Sequence, residues 1–355
     1  MINFDALRII ASIGIVWHHS HFFFYTEAAR PEIIARTQSF ALFVDLFFII
    51  SGYVITFLYK EKITSSSKYS MFMRKRVARL LPLHWLTFLV SFAVWTLAFT
   101  TGTQINNPPS YDLVCITSTV FLIHAMVPCG GEHFNGVSWS VSAEMVMYVV
   151  FPLVMLLARR RALFSSAVLA LLVTAFALQI ATGWHWKELH PLVRAMIGFS
   201  FGTGLMLYRT VLLRVPVPRW ALLALVAALC IEMQIGVHDA IVMLNIYILC
   251  IFAVAADARR EHPLIFRIIA PLGQLTYSLY MWHPIAILIV MNAIGDKILG
   301  WSGSWHMIAL SAFCYSFCLA LAYLSWAWFE GPSRLLIAGR KQAQPLRGGF
   351  KPGDS

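Results

Sequence analysis

Apolar residues run through most of this chain in blocks of about 20, broken by short polar and basic stretches. Runs of that length match an α-helix crossing a hydrocarbon core about 30 Å thick at 1.5 Å per residue, whereas membrane-barrel strands would alternate in period two. The pattern predicts ten spanning helices at 3–25, 39–59, 80–101, 137–158, 162–182, 189–208, 218–236, 239–256, 269–293 and 305–329. Residues 111–128 (YDLVCITSTVFLIHAMVP) compete as an eleventh. A crossing there would turn Arg159, Arg160 and Arg161 outward, so the segment is expected to be a short re-entrant or interfacial element of a long outer loop. The predicted fold is all-α and integral to the membrane. Residues 1–334 form one transmembrane domain of about ten helices, and 335–355 form a disordered basic tail.

Composition agrees with the pattern. The 355 residues are 59% hydrophobic and only 12% charged, about half the charge of a soluble domain. Most of the 27 Lys and Arg residues fall in alternate loops, leaving Arg30, Arg36, Lys187 and Lys297 on the other side. That asymmetry predicts both termini in the cytoplasm. Basic loops facing an anionic leaflet also account for the net charge of +11 without nucleic acid as a partner. The first helix lacks a small-residue cleavage site and carries Asp5 and Arg8 near its start, so it is expected to be a retained anchor. The six cysteines have no metal-ligand spacing, and no metal is expected. Cys115 and Cys129 share the long outer loop and are candidates for a disulfide; Cys230, Cys250, Cys314 and Cys318 are expected to pack as small apolar side chains.

Candidate chemistry lies in the few polar groups within the apolar blocks. Arg8 and His19 are eleven residues apart, almost three whole turns, so they share a helix face roughly 16 Å apart along the axis. His18 and His21 lie about 80° and 140° off that face. His19, Asp45 and Glu144 each fall seven or eight residues below the outer end of their helices, at one depth roughly 10 Å inside, with His283 close to that level. Ionisable groups in lipid mark functional sites, and a histidine flanked by carboxylates suits proton transfer. At the other face Arg76 and Arg79, three apart, share a surface if the third helix begins early, and with Arg8 they form a candidate phosphate clamp. Glu330 is expected to form a surface pair with Arg334. Spacing alone leaves two classes open: a membrane enzyme, or a proton-coupled exporter or flippase of a lipid-linked sugar. A structural partner in a polysaccharide-synthesis assembly is a third reading, in which Arg8 and His19 would be dispensable.

These blocks, in this order, resemble the acyltransferase 3 family of bacterial membrane proteins, over nearly the whole length. FDALRIIASIGIVWHH carries Arg8 and His19; FVDLFFIISGYVIT carries Asp45, Ser51 and Gly52; FMRKRVARLLP carries Arg76 and Arg79. SWSVSAEMVMYVVFP carries Trp139, Ser140 and Glu144, GQLTYSLYMWHP ends in His283, and FEGPSR holds Glu330. Ala6, His84, Met145 and Gly331 depart from the usual residues. The resemblance implies transfer of an acyl group, most often acetyl, from acyl-CoA to a hydroxyl of a cell-surface or lipid-linked glycan in a bacterial inner membrane. The polysaccharide-synthesis machinery would then be a candidate partner. Arg8, Arg76 and Arg79 would hold the acetyl-CoA. His19 would be general base or transient nucleophile, with Asp45 or Glu144 orienting it. His283 and Trp139 would contact the acceptor.

Overall fold

The computed structural model describes residues 1–102, 108–127, 129, 131–301 and 303–338. Arg340, Lys341, Arg347 and Lys351 of the expected tail lie outside them. Among the described residues the chain is helical, with a single isolated bridge between Pro109 and Glu132. The long helices are α1 (Ile2–Ser20), α2 (Gln38–Tyr59), α3 (Ser66–Thr100), α4 (Gly136–Ala158), α5 (Arg161–Thr182), α6 (Pro191–Leu207), α7 (Arg219–Ile235), α8 (Asp239–Ala258), α9 (Leu264–Ile298) and α10 (His306–Ala338).

Seven of these, α2, α3, α4, α5, α8, α9 and α10, are long and apolar enough to cross a membrane, so the chain has the make-up of a multi-pass membrane protein. Helices α6 and α7 are apolar but shorter. Helix α1 falls below that apolarity because it carries Asn3, Asp5, Arg8, His18 and His19. It tolerates them because it packs among α2, α8 and α9, with Phe4, Leu7, Ala11 and Ile15 fully buried, and therefore meets protein on most sides. Beyond Ser20 the expected span gives way to a 3₁₀ turn, His21–Phe24. The ring of His21 bonds the Trp17 carbonyl and the Thr37 hydroxyl there, a structural task.

Helix α3 begins at Ser66, well before the apolar run, with Ser65 as its N-cap. Its 35 residues reach about 52 Å, more than the hydrocarbon thickness. The basic turns are therefore continuous with the span, and Arg76 and Arg79 do share a face.

Helices α2 and α6 approach with backbones almost touching. A methyl on Gly52 would run into the carbonyl of Phe199, and one on Gly202 into that of Ile49. Only glycine permits this seam, the small-residue contact that substitutes for hydrophobic driving force inside lipid. Helix α9 widens to a π-helix over Leu288–Ile298, and α10 does so over Ser325–Glu330. The second π turn brings Glu330 inward, so it is not the expected surface residue: it is 2% exposed, pairs with Arg334 at 2.5 Å and accepts a hydrogen bond from Ser278.

Among the described residues, 111–127 contain no helix long enough to span a bilayer. They hold one eight-residue helix, Leu113–Val120, and Cys115 forms a disulfide with Cys129. Cys250, Cys314 and Cys318 are buried and Cys230 is half-buried, all as free thiols. Against the disulfide loop, His124 stacks near His84 and His133 and bonds Ser138. Burial, then the neighbouring His133 and His84, push the His124 ring down from 6.5 to about 3. Between those values the unfolded chain binds a proton that the folded loop does not, so the loop loses stability as pH falls through that window and is insensitive above it. Protection factors across 121–127, corrected for the intrinsic pH dependence of exchange, should fall as pH drops below 6.5, and His124→Gln should flatten that dependence.

Candidate active site

One end of the bundle opens into a cleft between α1, α2, α3, α4 and α9, with about 870 Å³ of empty space including its mouth. Arg8, Arg76, Arg79 and Glu144 all line it. Arg8 is half-buried and its guanidinium is 3.3 Å from Asp5, one turn earlier. Arg76 is 7% exposed, donates to the Tyr59 hydroxyl at 3.1 Å, and lies over the rings of Tyr59, Phe72 and Tyr148. Such stacking fixes a guanidinium plane with little loss of its charge. Arg79 is half-buried, and among the described residues no carboxylate pairs with it. The cleft thus holds three cations, of which, among the described residues, only Arg8 has a carboxylate partner.

Glu144 faces these arginines. The hydroxyls of Ser51 and Tyr148 both donate to its Oε1, each at 2.5 Å, and they lie 3.2 Å from one another. Tyr148 sits one turn after Glu144 on α4, where i and i+4 side chains meet. Both bonds end on one oxygen; among the described residues no donor is bonded to Oε2. The cleft therefore pairs an oriented carboxylate with a guanidinium array.

Tyr277 and Tyr280 form the α9 wall. Tyr277 donates to the Leu80 carbonyl at 2.6 Å, and Tyr280 to the Val137 carbonyl at 2.9 Å, with the Ser140 hydroxyl 2.8 Å away. One turn beyond Tyr280 lies His283, fully buried. Its Nδ1 is 2.7 Å from the Tyr280 carbonyl. A carbonyl only accepts, so Nδ1 carries the hydrogen and in the neutral ring Nε2 carries the lone pair. Among the described residues Nε2 has no hydrogen-bond partner. The His19 ring stands 5.2 Å from the His283 ring, centroid to centroid, with His18 4.8 Å from His19 on its other side. The His19–His283 pair is thus a turn above the cleft wall, half-buried on the His19 side.

Asp45 is elsewhere. Its carboxylate takes Nη2 of Arg194 at 2.5 Å and Nε at 3.3 Å, and the Trp186 indole donates to it at 3.2 Å. Both members of the ion pair are at most 3% exposed. Arg194 also bonds the Ala41 carbonyl and lies 4.9 Å over the Trp139 ring. The expectation that Asp45 or Glu144 would flank His19 is not met in this geometry. Asp45 faces α6 across the glycine seam, and Glu144 faces the arginines. The expected common depth does not hold either: Glu144 meets Ser51, six residues or about 9 Å further along α2 than Asp45, and shares the cleft with Arg8.

The sequence model of the acyltransferase 3 family, described as an acyltransferase domain, matches residues 1–324. The chain belongs to the acyltransferase 3 family. It is 28% identical to acyltransferase MdmB of Streptomyces mycarofaciens over 42% of this chain and 38% of that one, so the alignment spans well under half of that relative. It is 28% identical to protein 2 in the picA locus of Rhizobium radiobacter, over 50% of this chain and 92% of that one. Nodulation protein 10 of Rhizobium leguminosarum bv. viciae is 24% identical over 94% of this chain and 93% of its own length. No solved structure matches the chain.

The acyltransferase 3 blocks converge on the cleft and its supports. Arg8, Ser51, Arg76, Arg79, Ser140 and Glu144 line it, while His283 and Glu330 stand on or behind its α9 wall. Sequence reasoning did not single out Tyr148, Tyr277 or Tyr280. Of these only Tyr148 carried a local signal, its four-residue spacing from Glu144.

Proposed function

We propose that this chain is an O-acyltransferase of a bacterial inner membrane. It takes an acyl group, acetyl being the simplest, from acyl-CoA and transfers it to a hydroxyl of a surface or lipid-linked glycan. Ten crossings with both termini cytoplasmic fit the distribution of Lys and Arg, and this orientation puts the arginine cleft on the cytoplasmic side. The family model, described as an acyltransferase domain, and a relative named as an acyltransferase support acyl transfer as the reaction class. The observation that carries the proposal is the adjacency of a three-guanidinium cleft and a histidine pair, His283 buried and His19 half-buried.

In this reading Arg8 and Arg79, with Arg76 held rigid by its aromatic bed, take the donor's phosphates. The thioester extends along the Tyr277–Tyr280 wall. His19, backed by His283, accepts the proton of the acceptor hydroxyl; the oxygen attacks the thioester carbonyl; the thiolate leaves and recovers a proton from the imidazolium. Glu144 orients the arginines and the incoming donor, Trp139 bounds the acceptor side, and Asp45 positions α6 through Arg194. No step requires a metal.

The test is acyl transfer from radiolabelled acetyl-CoA to glycan in inside-out vesicles, with Arg8→Ala and His19→Ala at matched protein levels. Label should enter glycan with the unaltered chain and fall about 100-fold or more in both variants. Equal label in all three, or none, would overturn the proposal and turn attention to glycan translocation.

A further inference from the structure

A second cavity lies at the other end of α2. Gln38, the first residue of α2, lines it, whereas Tyr59, the last, bonds Arg76 at the arginine cleft. The 22 residues between these ends span about 33 Å, so the two spaces are separate. The cavity is walled by the ends of α5 and α7, the start of α2 and the turns before α6 and α8, with about 540 Å³ of empty space including its mouth.

Its lining is polar and almost neutral. Asp239 is 3% exposed and already satisfied: it accepts from Ser39 at 2.5 Å and from the Trp186 backbone N–H at 2.8 Å, with His185 at 3.4 Å. Gln38 bonds the far nitrogen of His185. These contacts build a fixed polar floor. Gln179, near the end of α5, also lines the cavity. It is 1% exposed, and among the described residues its carbonyl Oε1 has no hydrogen-bond partner. A buried amide oxygen without a partner is a vacant acceptor, and leaving it unpaired is unfavourable. Half-buried Trp184 adds an indole to the same lining, and Arg36 stands at the rim as a single cation.

One cation does not suit a phosphate, and an acyl chain would leave the amide and imidazole groups unpaired. Amides, a hydroxyl, an imidazole and an indole together suit a neutral polyhydroxyl ring, which offers hydroxyl donors and an apolar C–H face. We propose that this cavity binds one neutral sugar residue, with Oε1 of Gln179 accepting a hydrogen bond from a sugar hydroxyl. Its role as the glycan acceptor's docking point rests on the acyl-transfer reading, under which this end faces outward. Binding itself does not.

The probe is a panel of methyl hexopyranosides and methyl N-acetylhexosaminides, added to the full chain in lipid nanodiscs. Backbone hydrogen exchange is followed in 36–39, 179–186 and 236–239, with CoA titrated in parallel to report on the arginine cleft. At least one glycoside should protect these three segments. Gln179→Leu and, as a loop substitution that spares the buried helix, Trp184→Ala should each weaken that protection about tenfold, with CoA protection unchanged. Failure of every glycoside to protect, or protection unaltered in both variants, overturns the inference. If sugars bind here and no acyl transfer from acyl-CoA is found, the inference stands and the proposed function falls; if transfer occurs with no protection at this cavity, the reverse holds.

Discussion

Alanine at His283 should reduce acyl transfer by about 100- to 10,000-fold, the range for loss of a positioned acid–base group, without lowering the yield of folded protein. Three features concentrate the expectation on this residue. Its Nδ1–H is committed to the Tyr280 carbonyl, its Nε2 is left without a partner, and its ring is 5.2 Å from that of His19. The two imidazoles are therefore arranged as a relay in which one can hold the proton taken up by the other. If they act as a unit, the His19→Ala/His283→Ala double variant should be scarcely slower than either single one. The decisive control is His283→Asn, which keeps a donor for the Tyr280 carbonyl but cannot titrate. It should fold and thermally melt like the parent yet lose the pH dependence of kcat. A His283→Asn chain with the parent's rate and pH profile would assign His283 to packing alone.

Alanine at Asp45 should act on stability instead. Truncation leaves the Arg194 guanidinium, 3% exposed, without its counterion inside the bundle. Breaking a buried pair in this way destabilises by about 3–5 kcal/mol. The Trp186 indole loses its acceptor as well. Asp45→Ala should therefore lower the detergent melting temperature far more than Asp45→Asn, which retains an acceptor. Removing both charges, as in Asp45→Asn with Arg194→Met, should recover part of the loss because no lone charge remains. Thermal unfolding read by tryptophan fluorescence distinguishes the cases. If Asp45→Asn melts like the parent yet is inactive, Asp45 belongs to the chemistry after all.

Much of this arrangement was legible beforehand, and the failures have one physical origin. Block length identified the helices, and the order of the six blocks identified the family. The eleven-residue spacing put Arg8 and His19 on one helix, and the three-residue spacing put Arg76 and Arg79 on one face once α3 was found to begin at Ser66. The apolar pattern carried the first helix to residue 25, whereas α1 ends at Ser20; surrounded by protein, it need not be as apolar as a lipid-facing helix. Depth arithmetic put His19, Asp45 and Glu144 at one height, whereas Glu144 meets Ser51, about 9 Å further along α2 than Asp45; it also carried no information on azimuth, which depends on neighbouring helices. Asp45 consequently went to Arg194, some 149 positions away. The hydroxyls around Glu144 were half visible, since Tyr148 is a local neighbour while Ser51 comes from another helix.

The bare backbone contact between α2 and α6 also constrains how the molecule can breathe. With the Gly52 and Gly202 backbones pressed against the opposing carbonyls, the two helices have no side-chain cushion over which to slide or tilt. They form a stiff spine carrying Asp45 and Ser51 at fixed heights. Under the proposed reaction a bulky donor entering the cleft would displace the opposite wall, where among the described residues α3 and α9 are tied by the hydrogen bond from Tyr277 to Leu80. Admission of the substrate is then a matter of opening that wall, and spin labels placed across α3 and α9 would separate while a pair across α2 and α6 kept its distance.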